Sequence, residues 1–163
     1  MTSSQSFASD GHRHILEWGT FGIIDPGKFN LAQQITVDDE GNIYVADTGN
    51  SRIQKFTNDG EFLSSWGSHG IEDENFQSPV GIVIYENNVY VVDNKQFTVK
   101  KFDSDGNFIL KWGEFGVEDG QFNNPLGITI DSNGIVYVVD SKNHRIQTFT
   151  TNGEFLSSFG TYG

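Results

Sequence analysis

Apolar and polar positions follow one pattern that occurs three times along this chain. Each copy has an apolar stretch, a run that ends in Tyr-Val-x-Asp, an alternating stretch that ends in Phe, and a last stretch that ends in Trp or Phe. The aromatic ends Trp66 and Trp112 are 46 residues apart, and Trp112 and Phe159 are 47 apart. Aligned on these ends, the copies are Ile23–Gly70, Ile71–Gly116 and Val117–Gly163.

The third copy shows the predicted elements most clearly, with strands at 126–131, 135–140, 145–149 and 154–159. The second of these strands is almost wholly apolar, as expected for a strand that is buried on both faces. The first and third alternate apolar and polar residues. The sequences Ser-Asn-Gly at 132–134 and Thr-Asn-Gly at 151–153 predict turns, because Asn and Gly tolerate positive φ.

The other two copies repeat these elements. The later strands are predicted at 42–47, 52–56 and 61–66 in the first copy and at 89–93, 98–102 and 107–112 in the second. The second copy has one residue fewer at its first hairpin, 86–88, where a loss leaves the strand register intact. A period in the forties with four strands is typical of a β-propeller blade, so we predict an all-β chain of four-stranded antiparallel blades. The predicted segments are a polar tail at 1–8, a spare outer strand at 9–22, and blades at 23–70, 71–116 and 117–163.

Large aromatic residues recur in every predicted fourth strand. The two in each strand are four positions apart, so regular alternation would place both on one face. We expect them to pack against the neighbouring blade, because three equivalent copies favour an architectural role over a ligand platform. Together with Trp18 of the spare strand, the predicted inter-blade and assembly residues are Phe62, Trp66, Phe108, Trp112, Phe155 and Phe159.

Two segments carry the motif of a known repeat. They read Asp-Thr-Gly-Asn-Ser-Arg-Ile-Gln-Lys-Phe at 47–56 and Asp-Ser-Lys-Asn-His-Arg-Ile-Gln-Thr-Phe at 140–149, and Pro-x-Gly-Ile occurs at 79–82 and 125–128. In these residues the chain resembles the NHL-repeat family over positions 23–163. The resemblance implies a β-propeller, most often six-bladed. The middle copy departs from the motif at 94–98 and the first copy at 32–34, so local loop shape is expected to differ there.

Three blades are too few to close a propeller ring. An arc of three blades would expose an apolar blade face at each end, and such patches usually mark interfaces. Two chains would supply six blades and close a ring by twofold symmetry, so we expect a homodimer. In such a ring, the spare strand and the fourth strand of the third blade would both fit the same outer position of one blade. The alternatives are a piece of a longer propeller and an open fibre of added subunits.

Composition narrows the classes of function. The 163 residues include 14 Phe, 5 Tyr, 3 Trp and 19 Gly, a mixture that fits many strands and tight turns. The net charge of −12 disfavours nucleic acid as a partner, because an acidic chain repels phosphate backbones. The absence of Cys excludes disulfides, thiol catalysis and Cys-ligated metal. We find no run of 18 apolar residues for a membrane span, and the first 11 residues lack the features of a secretory signal.

The recurring aspartates and a pair of histidines could bind a metal ion or could have structural roles. Asp47, Asp93 and Asp140 end each second strand, and their recurrence favours hydrogen bonds from the following turn over metal binding. His12 and His14 would share a strand face, a spacing that occurs in zinc sites, but no third ligand is near. Enzymes that resemble this architecture, such as the amidating lyase with an NHL-type propeller, place several His around a central metal, and the inner strands here have no matching set. We therefore predict no catalytic residue, no metal site and no cofactor.

The loops between blades and the turns after each second strand should lie on one rim. The candidate partner-binding residues there are Asn50, His69, Glu72, Asp73, Lys95, Phe97, Glu118, Asp119 and His144. Phe97 replaces Ser or His of the other copies, and it either anchors a partner or folds back on its own blade. The acidic residues do not have EF-hand spacing. From the resemblance, the favoured function is a non-catalytic scaffold for a protein or peptide. The alternatives are a metal-dependent hydrolase or lyase with its site in the central channel, and a building block of a fibre or surface layer.

Overall fold

The computed structural model describes residues 17–22 and 25–163, which form three four-stranded antiparallel sheets, here called blades 1 to 3. Blade 1 contains β3 (Ile35–Val37), β4 (Ile43–Asp47), β5 (Arg52–Phe56) and β6 (Phe62–Trp66). Blade 2 contains β7 (Pro79–Tyr85), β8 (Asn88–Asp93), β9 (Thr98–Asp103) and β10 (Phe108–Trp112). Blade 3 contains β11 (Pro125–Ile130), β12 (Val136–Asp140), β13 (Arg145–Phe149) and β14 (Phe155–Phe159). Two short strands, β1 (Thr20–Phe21) and β2 (Lys28–Phe29), pair in parallel ahead of blade 1.

Within each blade the strands are hydrogen-bonded in chain order, so the first and fourth strands form the two edges. The first strands of successive blades lie side by side, β3 against β7 and β7 against β11. The fourth strands are therefore outermost. This arrangement is an arc of a β-propeller, with the first strands lining the axis. No helix in the described part of the chain is long and apolar enough to cross a membrane.

The strands predicted within the three blades are confirmed to within one residue at each end. The shorter hairpin of blade 2 is a two-residue turn in which Glu86 and Asn87 have φ of 47° and 59°. Both residues adopt the left-handed conformation, as the tightest hairpins require. Ile82 still pairs with Val91, so the loss of one residue is confined to the turn.

The prediction that both aromatic residues of a fourth strand share a face is wrong. Phe62 pairs with Phe56 but Ser64 pairs with Lys55, so one extra residue lies between the two pairs in β6. The same register shift occurs in β10 and β14. A β-bulge of this kind reverses the alternation beyond it. Phe62 therefore lies on the side of the preceding blade and Trp66 on the side of the following one.

The hydrophobic core lies between the blades. Each blade has a leading face, which contacts the preceding blade, and a trailing face, which contacts the next. The trailing face of blade 1 and the leading face of blade 2 enclose Tyr44, Ala46, Ile53, Phe76, Ile82, Val89, Val91 and Phe102, with Phe108 packed against them. The corresponding faces of blades 2 and 3 enclose Tyr90, Val92, Val99, Phe122, Ile128, Val136, Val138 and Phe149, with Phe155 packed against them.

Trp66 and Trp112 cross these interfaces near the outer edge. The ring of Trp66 lies 6.1 Å from that of Phe102, and the ring of Trp112 lies 5.8 Å from that of Phe149. A Cβ atom on Gly106 would lie 2.6 Å from Trp66, so only glycine leaves room for the indole. At φ of +88°, glycine is also the residue that this backbone favours.

The two end faces of the arc carry the same residue types without a neighbouring blade among the described residues. Ile35 on the leading face of blade 1 is 57% exposed, whereas its equivalent Ile82 on blade 2 is 1% exposed. Val139 and Phe159 on the trailing face of blade 3 are also exposed. The equivalent of Val139 in blade 2, Val92, is fully buried against blade 3.

The predicted spare strand and the polar tail lie mostly outside the described residues, which begin at residue 17. Trp18 lies inside them and packs on the leading face of blade 1. Its ring is 4.7 Å from that of Phe56 and 6.1 Å from that of Phe29. Trp18, Phe29 and Ile35 help to line a groove of ≈ 320 Å³ on this face.

Aspartates close the first hairpins of blades 1 and 3. Asp131 accepts hydrogen bonds from the backbone N–H groups of Asn133 and Ile135, each at 2.9 Å. These bonds, the one from Ile135 foremost, hold the pKa of Asp131 below its usual value. Asp38 accepts the equivalent bonds in blade 1, whereas blade 2 has Tyr85 at this position.

Candidate functional site

The second and fourth strands of every blade end at one rim of the arc, which we call the upper rim. It carries the turns 48–51, 94–97 and 141–144 and the inter-blade loops 67–78 and 113–124. Every partner-binding residue predicted from sequence lies on one of these turns or loops. Some side chains of the rim hold it together by hydrogen bonds, and others are available to a partner.

A buried carboxylate organises the upper rim of blade 1. Asp47 accepts hydrogen bonds from the backbone N–H of Asn30 and from the side chains of Asn50 and Arg52, each at 2.8 Å. Gln54 donates a further bond at 2.9 Å. Asp140 of blade 3 has the same four partners, Asn123, Asn143, Arg145 and Gln147. Both carboxylates are therefore bonded within their own blade, which agrees with the structural role predicted for them.

Blade 2 builds the same junction from different donors. Asp93 accepts hydrogen bonds from the backbone N–H groups of Lys95 and Gln96, each at 3.1 Å. The side chain of Gln96 donates to the carbonyl of Gly70 at 2.9 Å. Asn50 donates to the equivalent carbonyl ahead of blade 1. Asn50, a predicted partner-binding residue, is thus part of the supporting frame.

Lys100 completes the junction of blade 2. Its ammonium group is buried and donates to the carbonyls of Glu72 at 3.0 Å and Asn75 at 2.5 Å. In blade 1, Arg52 reaches the two equivalent carbonyls of the preceding loop. Burial lowers the pKa of Lys100, and the charge of Asp93 partly offsets this. A lysine from β9 therefore replaces an arginine that blade 2 lacks.

The turn that follows each second strand ends in a residue with left-handed backbone. These residues are Ser51, Phe97 and His144, with φ of 53°, 59° and 54°. Each side chain contacts the segment that follows the fourth strand of its own blade. Ser51 Oγ lies 3.4 Å from His69 Nδ1, the ring of Phe97 lies 5.0 Å from that of Phe115, and the ring of His144 lies 4.8 Å from that of Tyr162. The backbone frame is repeated, but the chemistry of the contacting pair changes from blade to blade.

A row of aromatic side chains lies along the upper rim, and only one of them, His69, was predicted from sequence as a rim residue. The row occupies the position three residues after each outer-strand aromatic, namely Phe21, His69, Phe115 and Tyr162. Phe21, Phe115 and Tyr162 are 77%, 63% and 80% exposed. Parallel backbone pairing of Phe21, His69 and Phe115 with the next segment fixes three of the positions. The fixed spacing behind the repeated aromatic was a signal that could have identified the row.

Most candidate acidic residues on the rim are exposed, and some are paired. Asp73 forms an ion pair with Lys111 at 2.5 Å, and hydrogen bonding to Lys111 lowers the pKa of Asp73. Asp119 lies 3.8 Å from Arg145. The side chains of Glu72 and Glu118 are exposed beside Ile71 and Val117, two further exposed apolar residues.

The NHL repeat matches residues 29–56 and 122–149 of this chain. Each matched segment includes a buried aspartate and its four donors. Two of the three blades therefore contain an NHL repeat. The fold that was expected from the resemblance is confirmed by this match and by the three four-stranded blades.

NHL-repeat relatives match over one part of the chain. NHL repeat-containing protein 3 of Homo sapiens is 48% identical over 44 residues, which is 26% of this chain and 13% of that protein. The protein of the same name from Mus musculus is 48% identical over 42 residues, 25% of this chain and 12% of that protein. The matched stretch therefore spans about an eighth of the length of these relatives.

Solved structures show the fold of the NHL-repeat chain over most of its length. A streptogramin B lyase aligns with a TM-score of 0.64 and 20% identity, over 81% of this chain and 41% of that one. The Kuenenia stuttgartiensis hydrazine synthase aligns with a TM-score of 0.66 and 16% identity, over 87% of this chain and 38% of that one. At such identity, the likeness shows a propeller-like fold and does not transfer an activity.

Histidines on the rim of the NHL-repeat chain contact neighbouring side chains. His69 pairs with Ser51 and His144 with Tyr162, as described above. Across residues 17–22 and 25–163, no group of three or more His, Cys, Asp or Glu is arranged to hold a metal ion. His12 and His14 lie outside the described residues.

Proposed function

We propose that this NHL-repeat chain is a scaffold that binds a protein or peptide on its upper rim. The observation that carries the proposal is the row of exposed aromatic side chains, Phe21, Phe115 and Tyr162, held at equivalent positions of a repeated frame. Aromatic side chains supply large contact area and are enriched among the residues that dominate binding energy. NHL-repeat propellers often serve in protein interaction, which agrees with this role.

The division between frame and variable side chains supports the same proposal. A buried aspartate recurs at the end of every second strand, and its hydrogen bonds hold the turn that follows it in place. The pairs Ser51–His69, Phe97–Phe115 and His144–Tyr162 lie at equivalent positions but consist of different residue types. Folding does not require a particular pair, so these side chains are free to be chosen for recognition. Loops that a rigid scaffold positions are where binding residues concentrate.

The surroundings of the row favour a partner that is apolar at its centre and basic at its edge. Ile71 and Val117 extend the exposed apolar surface between the aromatic positions. Glu72 and Glu118 follow them directly and are exposed. Apolar patches with a polar border are typical of interaction sites, and the acidic border favours lysine or arginine in the partner.

A peptide-display selection against the folded chain tests this assignment. Peptides recovered on the wild-type chain are measured by isothermal titration against the variant Phe115→Ser/Tyr162→Ser. We expect the double variant to weaken binding about tenfold or more, because truncated anchor residues usually cost over 1 kcal/mol each.

The matched control is Ile109→Ser/Leu156→Ser, which removes two exposed apolar side chains from the outer strands β10 and β14. Binding to this control should equal that of the wild type. Peptides that lose affinity for the control and keep it for the rim variant would place the binding surface on the outer strands instead. Failure of repeated selections to yield any rim-dependent peptide would also contradict the proposal.

A second role is favoured by the two end faces. We propose that chains associate by docking the trailing face of blade 3 on the leading face of blade 1 of another copy. Each end face has the residue types of a face that is buried inside the arc, and Ile35 and Phe159 are exposed there. Two copies related by a twofold axis would make two such contacts and six blades.

Light scattering over a range of protein concentrations tests the association. A limiting mass of two chains supports the six-bladed dimer. A mass of one chain at every concentration would refute association, and a mass that rises without limit would indicate the fibre instead. An enzymatic role has no comparable support, because the lyase among the similar structures shares only 20% identity with this chain.

A further inference from the structure

Every blade has a slot on its leading face that accepts an aromatic ring from the preceding outer strand. The slot is formed by a glycine in the turn between the third and fourth strands and by a phenylalanine at the end of the third strand. We call it the aromatic slot. In blades 2 and 3 its walls are Gly106 with Phe102 and Gly153 with Phe149.

The slots of blades 2 and 3 are filled by tryptophans of the blades before them. Trp66 enters the slot of blade 2, and Trp112 enters the slot of blade 3. A Cβ atom on the slot glycine would lie 2.6 Å and 2.8 Å from these rings. The contact is therefore tight, and one ring fills one slot.

The slot of blade 1 is filled by Trp18. The ring of Trp18 lies 4.7 Å from that of Phe56, and a Cβ atom on Gly60 would lie 2.5 Å from it. The glycine distance is close to those of the internal slots, and the two rings lie nearer to each other than the 6.1 Å and 5.8 Å found there. The segment that begins at residue 17 thus supplies to blade 1 the group that an outer strand supplies elsewhere.

Four aromatic residues are therefore available for three slots. Phe159 ends β14 at the position of Trp66 and Trp112, and it is exposed on the trailing face of blade 3. If a second copy docks in the geometry of the internal interfaces, its Phe159 reaches the slot of blade 1. Trp18 already occupies that slot, and the glycine contact leaves no space for a second ring.

We propose that Trp18 restrains association between chains by competing with Phe159 of a second copy for the aromatic slot of blade 1. The inference rests on the blade-to-blade association proposed above. Trp18 belongs to the same chain as the slot, so its effective concentration there is high. It is also larger than phenylalanine and buries more apolar surface. Association then requires Trp18 to leave.

Sedimentation equilibrium of Trp18→Gly and of the wild type tests the competition. We expect Trp18→Gly to lower the dissociation constant by about tenfold or more, because the intramolecular competitor is removed. Adding Phe159→Gly to the same chain should abolish that gain. A dissociation constant that Trp18→Gly leaves unchanged or raises would overturn the proposal, as would a gain that survives the loss of Phe159.

A second variant tests the competition without altering blade 1, which Trp18→Gly could unfold. Phe159→Trp leaves blade 1 untouched and restores the residue of the internal interfaces at this position. It should also strengthen association, because the larger ring competes better for the slot. No change with Phe159→Trp would count against the competition even if Trp18→Gly unfolds.

The two proposals fail in different ways. If the wild type and all variants remain single chains, the blade-to-blade association is refuted. If the wild type associates and its dissociation constant does not respond to Trp18 or Phe159, the association stands and the competition is refuted.

Discussion

The interfaces inside the arc and the two faces at its ends are built from equivalent residues, yet they differ in what covers them. Ile82 is buried between blades 1 and 2, whereas Ile35 at the same position of blade 1 is largely exposed. Val92 is buried between blades 2 and 3, whereas Val139 of blade 3 is exposed. The comparison shows that a repeat encodes both halves of an interface and that burial is decided by the neighbour.

This difference has an energetic consequence. Burial of a large apolar side chain stabilises a fold by about 1.5–3 kcal/mol. Residues inside the arc contribute that amount to folding, and residues on the end faces contribute it only when another surface covers them.

Alanine substitutions at Ile82 and Ile35 should differ most in their effect on stability. Ile82→Ala is expected to lower the free energy of unfolding by about 3 kcal/mol, because it leaves a cavity in a packed core. Ile35→Ala removes the same atoms from an exposed position, so its effect should stay below about 1 kcal/mol. Urea unfolding of dilute protein, followed by circular dichroism, measures both. Equal losses would show that the end face is covered in solution and would remove the distinction.

The junction of blade 2 with the preceding loop offers a second contrast. Lys100→Gln restores the residue of blades 1 and 3 at this position, where glutamine donates to the carbonyl equivalent to that of Asn75. The substitution therefore leaves the carbonyl of Glu72 without its lysine donor. We expect a loss of about 2 kcal/mol, the usual cost of unpaired buried polar groups.

Adding Thr98→Arg should recover most of that loss, because Arg52 and Arg145 donate to the carbonyls equivalent to that of Glu72 in the other blades. Denaturant unfolding of the two single variants and the double variant gives the coupling between the positions. A double variant as unstable as the sum of the singles would contradict the proposed exchange of donors.

Substitution of the slot glycines compares the stability of an internal slot with that of the slot on blade 1. Gly106 and Gly60 have φ of +88° and +83°, so alanine at either position costs about 1–2 kcal/mol of backbone strain. Gly106→Ala must also displace Trp66, which is anchored in β6, whereas Gly60→Ala displaces Trp18, which is not part of a blade.

We therefore expect Gly106→Ala to be the more destabilising by about 1 kcal/mol, since it also disturbs a buried ring. Thermal and urea unfolding of the two variants, side by side, check the difference. A larger effect for Gly60→Ala would mean that Trp18 is anchored more firmly than Trp66.

A substitution in the first hairpin of blade 3 is expected to have the smallest effect on stability. The pKa of Asp131 is lowered in the folded chain, so its contribution to stability is full above the unfolded pKa of about 3.9 and is lost as the pH falls through the lower folded value. Asp131→Asn should lower stability at neutral pH and flatten the decline between about pH 5 and 3. Urea unfolding at a series of pH values tests this, and parallel curves for the two proteins would refute it.

Much of the fold could be predicted from the sequence because its rules are local. Strand periodicity and turn residues placed the strands within one residue of their observed ends. The one-residue loss at 86–88 was assigned to a hairpin because a loss inside a strand would reverse its faces. The motif around Asp47 and Asp140 identified the NHL repeat.

The candidate site was predicted less completely. The upper rim was located, but Asn50 belongs to its frame, and the exposed Phe115 and Tyr162 were not identified. The shared face of Phe62 and Trp66 was predicted wrongly, because a bulge in the strand has no mark in the alternation of apolar residues. The role of Lys100 also escaped prediction, since its acceptors are carbonyls 25 and 28 residues away in the chain.

The sequence by itself determined the three repeats, their strands and turns, and the aspartates that tie each turn to the loop before it. These features depend on contacts within about one repeat, which a periodic pattern records directly. Only the tertiary structure decided which of two equivalent isoleucines is buried and that Trp18 fills the slot of blade 1. The physical reason is that burial depends on the blade that stands opposite, and a repeated sequence carries the same residues whether or not that neighbour is present.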